Sequence, residues 1–284
     1  MRFANLAGRL VRVVGDGTAI DLATVSRGEI PSDPQLAIET QWERVLEVAN
    51  LAEQPGTPFE ESDLLSPVPR PRQVFALALN YKDHAAEGGQ AAPEHPITFA
   101  KYPTCITGPF AEVTLSGDRV DWEVELVAVI GRAAHKVRAA EAWNHVAGLT
   151  IGQDISDRTV QHRRPVPQFS LGKSFPGYGP VGPYLVTPDE FKNRDDLGLR
   201  CSVNGEDVQK GRTKDLIFPV AALVERLSAV VPLGPGDLIF SGTPAGVGMA
   251  QDPPRFLAAG DTLESTIEGI GTLRNRLRAP EPAH

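Results

Sequence analysis

The sequence predicts an α+β fold in which strands outnumber helices. Three observations carry this. Short Val- and Ile-rich runs with apolar–polar alternation recur along the chain, whereas helical spacing appears only in scattered segments. The 284 residues include 27 Gly and 25 Pro, which supply turns for many short strands. No strand–helix alternation is sustained, which argues against a doubly wound sheet or a barrel of alternating strands and helices.

Taken in order, "RLVRVVGDGTAIDL" reads as two strands around the turn Gly15-Asp16-Gly17. "SDPQLAIETQWERVLEVANLA" reads as a helix capped by Ser32 or Asp33. "SPVPRPRQ" is a proline-rich connector, because Pro lacks an amide donor and restrains the residue before it. It places a boundary near Pro71, between a small N-terminal α+β domain (1–70) and a main domain (71–284). "QVFALALNY" is a short strand left through the helical turn "KDHAAEGG", and "EHPITFAKYPTCITGP" is irregular. The strand "VDWEVELVAVIG" follows, then a short helix over "RAAEAWNHVA" and a strand, acidic turn and helix over "GLTIGQDISDRTVQ". "FSLGKSFPGYGPVGPYLVTPDE" is a Gly/Pro-rich loop leading into a strand, and Asn204-Gly205 turns a hairpin in "LRCSVNGEDVQKG". An amphipathic helix over "DLIFPVAALVERLSAVV", a strand running into the glycine loop of "SGTPAGVG", and two strands in "AGDTLESTIEGIGTLRNRL" complete the chain.

Composition narrows the function. The formal charge of −8 and the absence of a Lys/Arg run argue against a nucleic-acid partner. No apolar run approaches the roughly 20 residues that cross a bilayer, so no membrane partner is expected. Cys105 and Cys201 are far apart and have no Cys-x-x-Cys companion, which fits a reducing compartment better than a disulfide framework or a structural zinc site. The N-terminal stretch lacks a secretory pattern, and a cytoplasmic location is expected.

Chemistry concentrates at a few positions. Glu123 and Glu125 lie two apart on the predicted strand and so share a face, which continues through Val127 and Val129. Val120, Trp122, Val124, Leu126, Ala128 and Ile130 take the other face. A buried unpaired carboxylate costs several kcal/mol (about 3 or more), so two such groups face water, stay protonated, pair with Arg or Lys, or share a cation. Hard oxygen donors without flanking His or Cys imply Mg2+, with Mn2+ or Ca2+ as substitutes, rather than zinc. Asp154 ends an apolar run where strand gives way to helix, which suits either a third ligand or a helix cap. His84 and Glu87, three apart on a helical turn, form either a base oriented by a carboxylate or an incidental surface pair. Lys173 in "SLGKSF" offers a positive charge to an anion or is a plain loop charge; Thr243 binds a ligand carboxylate or shapes a turn.

In this order, "LNYKDHAAE", "TGP", "DWEVELVAVIG", "GLTIGQDISDRTVQ", "LGKSF", "GPVGPYLVTPDE", "VNGEDVQ", "GPGDLIFSGTPAGVG" and "IEGIGTLRNRL" resemble the fumarylacetoacetate hydrolase family from about Val74 to Leu277. The resemblance implies an α+β fold of layered mixed β-sheets with few helices, and a homodimer. It implies Glu123, Glu125 and Asp154 as metal ligands, His84 and Glu87 as the catalytic pair that activates water, and Lys173 as a catalytic contact to substrate. Tyr81, Arg158, Gln161 and Thr243 are placed at the substrate. Asp157 and Thr159 depart from the Ser-Ala-Arg-Asp that many members show around the Arg.

The implied activity is metal-dependent hydrolysis of a carbon–carbon bond in a small 2-oxo acid or diketo acid of the acylpyruvate type, through an enolate. Oxaloacetate-type decarboxylation, hydroxymuconate-type isomerisation and lyase chemistry are alternatives on the same site, and a non-catalytic ligand-binding protein is the alternative of a different class. A lid is expected over either Ala85 to His95 or Phe175 to Pro183.

Overall fold

In a computed structural model describing residues 1–15, 17–87, 91–163 and 166–280, the run from Val120 forms two strands, Val120–Asp121 and Val124–Ile130. The expected single strand is broken at Trp122-Glu123 because side chains replace the ladder there. The amide of Glu123 donates to the Gln153 side-chain oxygen, and that of Val124 to the Gln209 side-chain oxygen at 3.0 Å. The alternation itself holds. Val120, Trp122, Val124, Leu126, Ala128 and Ile130 enter one hydrophobic cluster, Val127 and Val129 another. Both faces of the strand are therefore buried.

Val124–Ile130 lies inside a 12-stranded mixed sheet. It pairs antiparallel with Val146–Gln153 on one side and with Leu238–Phe240 on the other. Leu238–Phe240 runs parallel to Val74–Ala78, and Ile97–Ala100 closes that edge. In the other direction the order continues through Gly179–Val186, Arg2–Leu6, Arg9–Gly15, Thr18–Asp21 and Thr57–Pro58. The segment before Pro71 thus extends the same sheet through the pairing of Arg2–Leu6 with Gly179–Val186. Its Phe3, Leu10, Ile38 and Trp42 share a cluster with Val74, Val127 and Phe240.

One long helix, Pro34–Leu51, covers that face of the sheet. Asp33 caps it by accepting from the Leu36 amide, and Pro34 occupies the first turn, where its missing donor costs nothing. The opposite face receives a five-stranded sheet built from Glu206–Arg212, Gly198–Val203, Thr262–Ile267, Gly271–Arg278 and Val113–Thr114. Leu199, Leu263 and Leu273 of this sheet join Leu126 and Ile151 in the core. The hairpin at Asn204-Gly205 forms as its sequence predicts, with φ of 52° and 83° at the two turn residues. The segment Ala139–His145 is a 3-10 helix, and the amphipathic helix is shorter than its pattern, Val220–Ser228. Among the described residues no helix is long and apolar enough to cross a membrane.

Gly152 faces Glu125 across the central ladder. A Cβ there would meet Phe240 Cε1 at 2.4 Å and Val127 Cγ2 at 2.5 Å, so only glycine lets the three strands close. Gly152→Ala should lower the unfolding free energy by about 2 kcal/mol through overpacking. Denaturant titration showing wild-type stability would contradict this packing.

Candidate metal centre and active site

Strand register brings the three acids together. Val124 faces Gln153 and Glu125 faces Gly152, while the Asp154 amide donates to the Glu123 carbonyl at 2.9 Å. One oxygen from each of Glu123, Glu125 and Asp154 falls within 4.8 Å of the others. Glu123 is 8% exposed, and Glu125 and Asp154 are wholly buried. The cap expected at Asp154 falls instead to its neighbour. The helix Arg158–Gln161 is capped by Asp157, whose side chain accepts from the Val160 amide, and Asp154 is left to the acidic cluster.

Three cations hold these carboxylates. The Lys173 ammonium sits 2.7 Å from Asp154 Oδ2 and 2.9 Å from Glu123 Oε2, and donates to Ser156 Oγ at 2.8 Å. Arg158 donates to Glu123 Oε1 at 2.7 Å, to Asp121 Oδ2 at 2.9 Å and to Gln161 Oε1 at 2.8 Å. Lys101, wholly buried, donates to Asp154 Oδ1 at 2.7 Å, to the Tyr178 carbonyl at 3.2 Å and to the Lys173 carbonyl. Burial alone would raise Glu123, but Lys173, Arg158 and His84 overcome it and hold this carboxyl down to about 2. At Glu125, burial, followed by the charges of Asp154 and Glu123, pushes the carboxyl well above the usual carboxylate range; Lys173 and the Gly242 amide pull the other way but do not win.

The donor set fits a divalent cation. Glu125 Oε1 is buried without a hydrogen-bond partner, while its Oε2 accepts from the Gly242 amide at 2.6 Å. An unsatisfied buried carboxylate oxygen is costly unless something positive faces it. The remaining oxygens each keep a lone pair beside their lysine or arginine donor. An all-carboxylate set of this kind suits Mg2+, Mn2+ or Ca2+.

Of the three acids, Glu123 opens onto a cavity of about 170 Å³ that His84, Glu87, Lys173, Phe99 and Val247 also help line. His84 Nδ1 lies 3.1 Å from Glu87 Oε2, so the pair expected on the helical turn is formed on the helix Lys82–Glu87. Glu87 Oε1 accepts from the Gly246 amide at 3.0 Å, which ties that helix to the glycine loop. Gly246 has φ of +103°, and a Cβ there would lie 2.2 Å from the Val208 carbonyl, so the loop needs glycine at this point.

The other expected contacts divide. Arg158 and Gln161 line the cavity, but the guanidinium is committed to Asp121, Glu123 and Gln161. Thr243 also lines it, yet its hydroxyl donates to the Val124 carbonyl at 2.9 Å and accepts from Gln209 at 2.8 Å. Tyr81 is wholly buried, its hydroxyl has no hydrogen-bond partner, and burial and then Glu125 raise its pKa. Of the two lid segments, Phe175 to Pro183 runs into the buried central strand Gly179–Val186, which corrects that expectation. Residues 88–90 of the other segment lie outside the described residues.

Sequence reasoning missed Lys101 and Asp121. Lys101 continues the inward face of the edge strand Ile97–Ala100 two residues past Phe99, a position where alternation alone suggests an apolar residue. Asp121 accepts from Arg158 and from the amides of Trp122, Gly248 and Met249, at 2.7–3.0 Å, and so anchors both the arginine and the glycine loop. Its two-residue distance from Glu123 was the available signal.

The fold and this site define a class of protein, a layered α+β enzyme with a carboxylate-lined pocket suited to a divalent cation. The model of the fumarylacetoacetate (FAA) hydrolase C-terminal family matches residues 73–278, and the chain belongs to that family. Human mitochondrial oxaloacetate tautomerase FAHD2A is 41% identical over 242 residues, covering 84% of this chain and 77% of the human protein. The crystal structure of an HpcE-like protein from Mycobacterium smegmatis superimposes with a TM-score of 0.93 at 47% identity, over 99% of this chain and 100% of the other. Maleylpyruvate hydrolase from Sphingobium sp. SYK-6, solved with manganese(II) and pyruvate, has a TM-score of 0.79 at 26% identity, over 99% and 100% of the two chains.

Two predictions follow from the electrostatics. Because the Glu125 carboxyl is raised well above the usual range, a cation bound here favours its ionised form, and calorimetry in buffers of different ionisation enthalpy should show proton release on Mn2+ uptake below that raised pKa. Affinity should rise with pH until Glu125 ionises unaided; proton-free, pH-independent binding would contradict this. Lys101→Met leaves Asp154 short of a buried partner and should lower the unfolding free energy of the metal-free chain by about 3 kcal/mol. A thermal or denaturant midpoint equal to wild type would contradict that role.

Proposed function

We propose that the chain interconverts the keto and enol forms of a small 2-oxo acid of the oxaloacetate class, with Glu123, Glu125 and Asp154 holding a divalent cation. The observation that carries this reading is the His84–Glu87 pair, placed on the same small cavity as Glu123 of the carboxylate cluster. The oxaloacetate tautomerase activity named for the human relative supports it. When bound, the cation supplies Lewis-acid polarisation of the 2-oxo acid and offsets enolate charge.

The chain's own groups do the proton work. Glu87 accepts from Nδ1 of His84, which leaves the Nε2 lone pair as a base. That nitrogen takes a proton from the carbon next to the substrate's carbonyl and returns it to the enol oxygen, or the reverse. Lys173 donates to Asp154 and Ser156 and pairs with Glu123 at 2.9 Å. It acts as a fixed positive charge beside the reacting oxygens rather than as a mobile donor. The Glu87–Gly246 contact closes the glycine loop against the helix that carries His84, which shields the site from bulk water.

Hydrolysis of a carbon–carbon bond is the second reading. The same histidine, oriented by Glu87, is equipped to deprotonate water, and the maleylpyruvate hydrolase similarity favours it.

The enol of oxaloacetate absorbs in the ultraviolet, so its loss in the presence of Mn2+ can be followed above the spontaneous rate. His84→Ala should slow this loss at least about 100-fold while leaving Mn2+ affinity unchanged. Unchanged turnover would remove His84 from the mechanism. Pyruvate release from a small acylpyruvate, without any effect on enol decay, would favour the second reading over the first.

A further inference from the structure

We infer that His162, on the rim of the cavity, recognises the second carboxylate of a dicarboxylic 2-oxo acid and so sets a preference for doubly charged substrates. This rests on the proposed function, which places the 2-oxo acid end of the substrate at the carboxylate cluster.

The first ground is commitment. Six ionisable side chains line the cavity among the described residues, and five of them are engaged. His84 and Glu87 hold each other, and Glu123 is held by Arg158 and Lys173, which are themselves engaged. Among the described residues the His162 imidazole has no hydrogen-bond partner. Its backbone amide donates to the Arg158 carbonyl at 3.1 Å, which fixes the residue at the end of the helix Arg158–Gln161. His162 is exposed, whereas Arg158 and Gln161 are buried, so the helix runs from the acidic cluster out to the rim.

The second ground is charge. Burial first, and then the positive charges of Arg158, Arg119 and Lys173, lower the proton affinity of the His162 ring. The field that discourages a proton attracts an anion, and a neutral imidazole still offers one N–H to a carboxylate. Phe99, Phe169 and Met249 also line the cavity and offer nothing to a charged group. At about 170 Å³ the cavity is smaller than the roughly 300–1,000 Å³ of drug-sized pockets, which suits a short acid whose far end reaches the rim.

Malate and 2-hydroxybutyrate test this without turnover, because they share a 2-hydroxy acid end and differ only in a distal carboxylate or methyl group. Calorimetry with the Mn2+-loaded full chain should show malate binding at least about tenfold more tightly. His162→Ala should erase that preference while leaving 2-hydroxybutyrate affinity as it was, and His162→Gln, which keeps an N–H donor, should retain part of it. No malate preference in the wild type, no malate binding, or equal weakening of both ligands in His162→Ala would overturn the inference. Enol-oxaloacetate turnover, measured alongside, separates the two ideas. A His162-dependent malate preference without turnover removes the proposed reaction but keeps the recognition; turnover without the preference does the reverse.

Discussion

Four carboxylates and three cations share the buried end of one strand, and the local structure is organised around that imbalance. Asp121, Glu123, Glu125 and Asp154 face Lys101, Lys173 and Arg158. Ionised acids and cations differ by one charge in a low-dielectric setting, where an uncompensated charge costs several kcal/mol (about 3–5). Without a metal, burial and the neighbouring carboxylates favour the protonated form of Glu125, which offsets that excess. A divalent cation held by the cluster would make its net charge positive.

The scaffold meets this demand by replacing backbone pairing with side chains at the strand's end. Gln153 and Gln209 take the amides of Glu123 and Val124, freeing the chain to turn both glutamates into the site. Gln209 also holds Thr243, so the second sheet, the central strand and the glycine loop meet at one amide side chain. Asp121 extends the connection to Gly248 and Met249, and Glu87 to Gly246. The loop that lines the cavity is therefore pinned from two sides by carboxylates that are not themselves in the metal set.

Much of this was legible in the sequence. The alternation in "VDWEVELVAVIG" assigned every residue from Val124 to Ile130 to its correct face, because a strand buried on both sides has no other way to arrange its side chains. The His84–Glu87 spacing and the Asn204-Gly205 turn were equally readable, since both depend on local geometry. What was not readable depends on distance along the chain. Lys101 meets Asp154 across 53 residues, and Arg158 reaches Asp121 across 37. No periodicity encodes such pairs. For the same reason the sequence did not show that Arg158 and Thr243 are also engaged by the frame.

The account stands on one claim, that Glu123, Glu125 and Asp154 enclose a single divalent cation. The most direct test is a crystal of the full chain grown with Mn2+ and measured at the manganese absorption edge. The account predicts one strong anomalous peak per chain, within bonding distance of all three carboxylates and filling the open side of Glu125 Oε1. The absence of a peak there at saturating Mn2+, or a peak that leaves Glu125 uncoordinated, would contradict it.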